Sequence, residues 1–255
     1  MAPEFDHKTG RIMVRRWATT DLEGRIAHHM RAWEHAKQAP ESHPAGGLAF
    51  VTINRDFGCE ALHVADVLTA VLNERAHPRV PWVAYDRQLL DRVASELHLR
   101  REVVESMDGL RRSEMTEFFD TLLNRKPSDA LMVHKLAEVV RSLAIHGHTV
   151  IVGRGSHLIT KDLKSGLHVR LTAPREWRVH RVAASRKVSE STAEQTVAEI
   201  ERERAHFLQT FFIHDPEHPF VHDLTIDASQ FAPVEIADII GAAVQIRELP
   251  LADAA

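Results

Sequence analysis

From residue 48 onward, short apolar runs alternate with longer segments of helical period, and few folds accommodate that pattern. LAFVTIN (48–54), VPWVAY (80–85), HTVIVG (148–153), LHVRLT (167–172) and HDLTIDA (222–228) read as strands. Between and after them EALHVADVLTAVLNER (60–75), RQLLDRVASEL (87–97), SDALMVHKLAEVVRSLAIHG (128–147), PREWRVHRVAASRK (174–187), SESTAEQTVAEIERERAHFLQTFF (189–212) and PVEIADIIGAAVQIREL (233–249) read as helices. Apolar strands alternating with helices predict an α/β fold, a parallel sheet covered on both faces. Ligands in such sheets bind beyond the carboxyl ends of the strands. The residues to question are therefore 54–61, Asp86 and Arg87, 153–156, 172–178 and 227–229.

Helix boundaries are marked in places. Ser128 or Asp129 stands at an N-cap position, Gly147 at a stop and Pro233 in a first turn. Residues 100–130 are polar and read as helical in pieces. Residues 1–19 show no period, and Ile26, Met30 and Trp33 fall at helical spacing within an amphipathic helix over 20–38. APESHPAGG (39–47) has linker composition. The expected organisation is an N-terminal extension, 1–46, followed by one domain, 47–250.

Composition narrows the function classes. Of 255 residues, 32 are Lys or Arg and 36 Asp or Glu, a net charge of −4, which argues against a general nucleic-acid or anionic-membrane binder. One cysteine forms no intrachain disulfide and suits a reducing compartment. The N-terminus lacks an apolar signal core, and no apolar run approaches the roughly 20 residues that span a bilayer. The expected location is cytoplasmic.

The strand ends are rich in arginine. They carry Arg55, Arg87, Arg154 between two glycines, and Arg175, Arg178 and Arg181, while the following helix adds Arg202 and Arg204. Arginine's planar fork binds phosphate oxygens in pairs, and several converging arginines suit a polyphosphate substrate or transition state. The competing account pairs each arginine with a nearby surface acid.

Several ordered stretches together resemble the cytidylate kinase-like family, a branch of the P-loop nucleoside monophosphate kinases. VTINRDFGCEALHVADVLTAVL resembles its first strand, glycine loop and helix. VPWVAYDRQLLDRVASEL and VIVGRGSHLI resemble its second and third strand blocks, and HVRLTAPREWRVHRV with ERERAHFLQTFF its arginine-bearing lid. HDLTIDASQFAPVEIADII resembles its last strand and helix. The resemblance implies a three-layer P-loop-type fold with five parallel strands and the first strand central. It also implies an acceptor-binding insertion over about 86–130 and a lid over about 175–215. By position, Arg55, Gly58, Cys59, Glu60 and Ala61 would face the donor phosphates. Asp86, Arg87 and Arg154 would face the acceptor, and Arg154, Arg178 and Arg204 would stabilise the transferred group. ATP and Mg²⁺ are implied as cofactors.

The loop departs from the pattern. A standard phosphate loop reads GxxxxGK[ST], and the family typically shows Gly-Ser-Gly-Gly-Arg. Here Gly58 is kept, Cys59 stands for the serine, Glu60 and Ala61 for glycines and Leu62 for the arginine. Glu60 adds negative charge where a helix N-terminus favours phosphate, although an acid in a helix's first turn is also favourable without a ligand. Cys59 has two readings, a reactive thiol at a helix start or a small residue in a tight turn. His214, His218 and His222 are interrupted by Pro216 and Pro219 and read as a loop, with no metal site expected. Three functions remain open. One is ATP-dependent phosphoryl transfer to a nucleoside monophosphate or similar small acceptor. Another is a nucleotide-binding regulatory module that has lost transfer. The last is an interaction protein whose Ile26, Met30 and Trp33 stripe docks on a partner or a second copy.

Overall fold

The computed structural model describes residues 4–6, 11–13, 22–38, 48–95, 130–212 and 222–248. Strands β3 (Phe50–Arg55), β4 (Val83–Tyr85), β5 (Thr149–Val152), β6 (Gly166–Thr172) and β7 (Leu224–Asp227) form an all-parallel sheet in the order β4-β5-β3-β6-β7. The first of the five is central, as the resemblance implies. In this register Arg55 lies opposite Leu171 and Thr172 opposite Asp227. All five carboxyl ends therefore emerge along one edge. Before the sheet, β1 (Glu4–Asp6) and β2 (Arg11–Met13) pair antiparallel in a stretch too short to show a period.

The pleat of β3 separates two cores. Phe50 points to one face, while Val51 and Ile53 point to the other. The first core is built with α1 (Leu22–Gln38), α3 (Arg87–Ser95) and α4 (Ala130–His146), and includes Tyr85, Leu90, Val140, Leu143 and Ile151. The second is built with α2 (Ala61–Ala76) and α8 (Pro233–Glu248), through Val64, Leu68, Ile236 and Ile240. The short α5 is Ser156–Ile159. Helices α6 (Arg175–Arg186) and α7 (Glu190–Phe211) form a hairpin with its own small core of Val182, Ala183, Ala193 and Val197. Ser189 caps α7, its hydroxyl accepting from the Thr192 amide at 3.2 Å. Among the described residues no helix is long and apolar enough to cross a membrane.

Two expectations change. The strand expected over 80–85 is only Val83–Tyr85. Pro81 has no amide to give a ladder, and both backbone groups of Trp82 are taken by the Asn73 side chain, at 2.7 and 2.9 Å. The stripe offered as a partner anchor faces inward: Ile26, Met30 and Trp33 are 0%, 2% and 7% exposed. Trp33 meets the His146 ring edge-on at 4.2 Å, and His29 Nδ1 is hydrogen-bonded to Tyr85 Oη at 3.0 Å. Helix α1 is thus packed into the first core. The proposed caps Ser128 and Asp129, most of the 86–130 insertion, the end of the 175–215 segment, and His214 and His218 lie outside the described residues.

Candidate functional site

The turn after β3 is held from three sides. The Asp56 amide still donates to Leu171 O at 3.0 Å, extending the ladder, and its carboxylate accepts from Arg170 at 3.0 Å and Thr172 Oγ1 at 2.7 Å. The Phe57 ring packs into the α6–α7 core, with the Arg186 and Arg204 guanidiniums 5.3 and 5.4 Å from its centre. A Cβ on Gly58 would stand 3.0 Å from the Arg178 Cβ, so helix α6 lies directly on the loop. Cys59 is buried, and burial, followed by the charge of Asp56, pushes its thiol up to about 12. That favours the small residue in a tight turn over the reactive thiolate. Glu60 is the N-cap of α2 with left-handed backbone (φ 48°), and its carboxylate pairs with Arg181 of α6. Leu62 is partly buried.

Beside this loop, four arginines from four segments come together. Arg55 leaves β3, Arg87 opens α3, Arg154 follows β5 and Arg204 lies on α7. Burial, then the charges of Arg204, Arg87 and Arg154, pull the Arg55 pKa from 12.5 down to about 9, against the opposing pull of Asp86. Arg55 remains a cation at neutral pH. Arg204 is also lowered, chiefly by burial, with Glu201 opposing and Arg87 adding to the fall. Its Nη1 donates to Arg55 O at 3.1 Å. Arg154 pairs with Asp91, lies 5.5 Å from the centre of the Phe207 ring, and keeps a buried Nε with no hydrogen-bond partner. Arg87 is 3.8 Å from the same Asp91 carboxylate.

The glycines around Arg154 have a steric reason. Gly153, Arg154 and Gly155 all take positive φ, at 83°, 57° and 68°. A Cβ at Gly153 would run into the Arg55 guanidinium, and one at Gly155 would stand 2.9 Å from the Phe212 ring. The turn thus makes room for one arginine while presenting another.

On the other side of the loop opens a cleft of about 350 Å³. Glu60, Trp177 and Arg181 form one wall and residues 228–233 another. The Arg181 guanidinium lies 5.2 Å from the centre of the Trp177 ring. The 227–230 turn is fixed by the Asp227 carboxylate, which accepts from Ser229 Oγ at 2.7 Å and the Ser229 amide at 2.9 Å. Those two bonds, the side-chain one first, hold its pKa below the ordinary value.

Of the residues singled out from the sequence, Arg55, Asp86, Arg87, Arg154 and Arg204 are brought together, and Gly58, Cys59, Glu60 and Ala61 form the loop and helix start. Arg178 is placed otherwise. It is 7% exposed, and its guanidinium bonds Ala173 O at 2.9 Å, Phe57 O at 3.2 Å and the Glu201 carboxylate. Those bonds make it a brace between loop and hairpin. The sequence reading missed Asp91, Phe207, Trp177 and Glu201. Helical spacing signals two of them, since Asp91 follows Arg87 by four residues and Phe207 follows Arg204 by three.

The features that would receive an adenine nucleotide are the cleft, for a base, and the first amides of α2, which no side chain caps, for phosphate. Magnesium fits less well. It takes oxygen ligands, usually one or two carboxylates plus substrate phosphates. Here a buried neutral thiol stands at the hydroxyl position, Asp56 is engaged by Arg170 and Thr172, and Glu60 by Arg181. Among the described residues no group of three or more His, Cys, Asp or Glu could hold a metal. The loop's own side chains do not fit a protein-held magnesium ion. His222 stacks on His157 with ring centres 4.7 Å apart, and burial, with Arg170 and His168, lowers its pKa to about 4.

Comparison with known proteins places the family and the fold. The sequence model of the cytidylate kinase-like family matches residues 50–230. Among solved structures, an uncharacterized protein from Eubacterium ventriosum ATCC 27560 superposes with a TM-score of 0.53 at 19% identity, covering 78% of this chain and 98% of its own. At that identity the likeness speaks for the fold. No curated protein matches.

Proposed function

We propose that this chain, which belongs to the cytidylate kinase-like family, binds a nucleotide in the cleft beside the loop and transfers a phosphoryl group to a small phosphate-bearing acceptor held by the arginine cluster. Membership of that family supports a kinase-like, nucleotide-binding function in broad terms. One observation carries the finer reading. Burial first, and then the repulsion of Arg204, Arg87 and Arg154, depress Arg55, and Asp86, Asp91, Glu201 and Asp56 are the carboxylates that act on members of the cluster. Like charges held together at the carboxyl edge of a parallel sheet suit an anionic ligand, which removes the repulsion when it binds.

In this reading an acceptor phosphate oxygen attacks the γ-phosphorus of ATP. The new O–P bond forms as the bond to the β–γ bridging oxygen breaks, and ADP leaves. The protein's work is positioning and charge neutralisation. Arg154 and Arg87 hold the acceptor, oriented by Asp91. Arg204 and Arg55 face the group in transfer, and Phe57 and Phe207 exclude water around them. Trp177 and residues 228–233 flank the donor base, and Arg181 lies at the phosphate end.

A second reading, binding without transfer, rests on Arg178, Glu60 and Leu62. The first is fixed as a brace, the second already pairs with a lid arginine, and the third supplies no cation. Calorimetry with ATP, ADP and a panel of nucleoside monophosphates, with and without Mg²⁺, followed by a turnover assay, separates the two. Turnover establishes transfer, binding without turnover establishes the second reading, and no binding refutes both.

A further inference from the structure

Glu60 adopts a conformation that suits glycine. Its φ of 48° and ψ of 34° are left-handed, a region disfavoured for any residue with a Cβ. It occupies the N-cap of α2, yet its side chain makes no capping bond there. The carboxylate reaches instead to Arg181 on α6. A strained position whose side chain forgoes its local use points to a role elsewhere.

Arg181 is the other half of that role. Its guanidinium is stacked on Trp177, and Glu60, Trp177 and Arg181 all line the cleft. It is the cation that a phosphate on the first amides of α2 would meet, and a carboxylate already holds it. The remaining contacts between loop and hairpin are of another kind. Arg178 and Arg204 donate to the carbonyls of Phe57 and Arg55, and the partly buried Phe57 ring packs against the apolar core of the hairpin. An arriving anion does not replace a carbonyl or a phenyl ring, but it does replace a carboxylate. Both side chains of the Glu60–Arg181 pair are partly open to solvent, so such an anion reaches them.

We propose that Glu60 is a built-in competitor for the phosphates of the nucleotide. Without ligand it holds Arg181 and, through it, the middle of α6 against the loop. A phosphate that binds the α2 amides takes Arg181 from it, and the displaced carboxylate then repels the ligand in proportion to the charge the ligand brings. Glu60 thereby selects against highly charged donors and couples phosphate binding to release of the hairpin. This rests on the nucleotide reading above.

Glu60→Gln keeps the size and backbone demand of the residue and removes its charge. Wild type and E60Q are compared by calorimetry with AMP, ADP and ATP at one ionic strength, and by hydrogen exchange over 175–211 without ligand. The expected gain in ATP affinity is about fivefold or more, the lower bound being two unit charges 4 Å apart in bulk water, with a smaller gain for ADP and the smallest for AMP. Exchange over 175–186 should rise several-fold in ligand-free E60Q. An equal gain, or none, for all three nucleotides overturns the proposal while leaving the nucleotide reading intact. Unchanged exchange overturns it as well. If neither form binds any nucleotide, the nucleotide reading fails and the competition with it. Faster exchange in E60Q would then uphold the Glu60 hold on the hairpin alone.

Discussion

Acidification should destabilise the fold through His29, which ties helix α1 to Tyr85. This side chain is fully buried, with Nδ1 on Tyr85 Oη at 3.0 Å and Nε2 without a partner. Burial lowers its pKa from 6.5 to about 3, and the charges of His146, His148 and His28 add to the fall, against a smaller opposing pull from the Gly147 backbone. A depressed histidine favours the neutral form in the folded state, so the unfolded chain binds more protons between about pH 6.5 and pH 3. The stability His29 contributes is therefore complete above 6.5 and drains away as pH falls towards 3. Each pH unit in that window is worth about 1.36 kcal/mol, so moving to pH 5 costs about 2 kcal/mol, and the whole window on the order of 5 kcal/mol. The assay is urea unfolding of wild type and His29→Asn at pH 7.5, 6.5, 5.5 and 5. Asparagine does not titrate and still offers Tyr85 an amide near the Nδ1 position. Its lower baseline stability does not matter, because the quantity compared is the slope against pH. Wild type should fall about 2 kcal/mol further than the variant between pH 7.5 and 5. Equal slopes would refute the reasoning, showing that the buried imidazole is not protonated on unfolding in this range.

Arg154→Ala should lose acceptor affinity by roughly 1.5–3 kcal/mol, the cost of a charged hydrogen bond, with an unchanged melting temperature; a folded variant with wild-type acceptor affinity would remove Arg154 from the site. Gly153→Ala places a Cβ against the Arg55 guanidinium at a φ of 83° and should destabilise by more than about 1 kcal/mol, read as a lower denaturation midpoint; a neutral result would mean the turn and Arg55 rearrange freely. Cys59, buried with its thiol near 12, should resist iodoacetamide at pH 8 in the folded protein and react once the chain is unfolded in urea; rapid labelling of native protein, followed by mass spectrometry, would count against that burial.

The sheet was legible because its signal is local. The runs Phe50–Ile53 and Thr149–Val152 are mainly apolar without alternation and buried throughout, which says that both faces of the sheet are covered. Gly153-Arg154-Gly155 was legible for the same reason, since two glycines around one cation at a strand end announce a tight turn. What was not legible depends on partners far away in the chain. Whether Arg178 points to ligand or to protein is decided by Glu201 and by the carbonyls of Ala173 and Phe57, and sequence spacing does not say which way a guanidinium turns. Glu60 and Arg181 are 121 residues apart, so the loop's most telling substitution read only as a charge in an awkward place. Ile26, Met30 and Trp33 form the same stripe whether they meet a partner or their own core, and it is the faces of Tyr85 and His146 that decide.

Phe57 belongs to the loop by sequence and to the α6–α7 core by packing, and this limits how much of the time the hairpin can stand away from the sheet. Swinging it out exposes a ring worth about 1.5 kcal/mol, the lower end for a phenylalanine because Phe57 is only partly buried. That gap alone leaves the open form at about one molecule in ten. An acceptor bound for Arg154 and Arg55, which Phe207 and Arg204 of the hairpin cover, would find nine doors in ten shut, and its apparent association rate would be the rate of meeting the tenth.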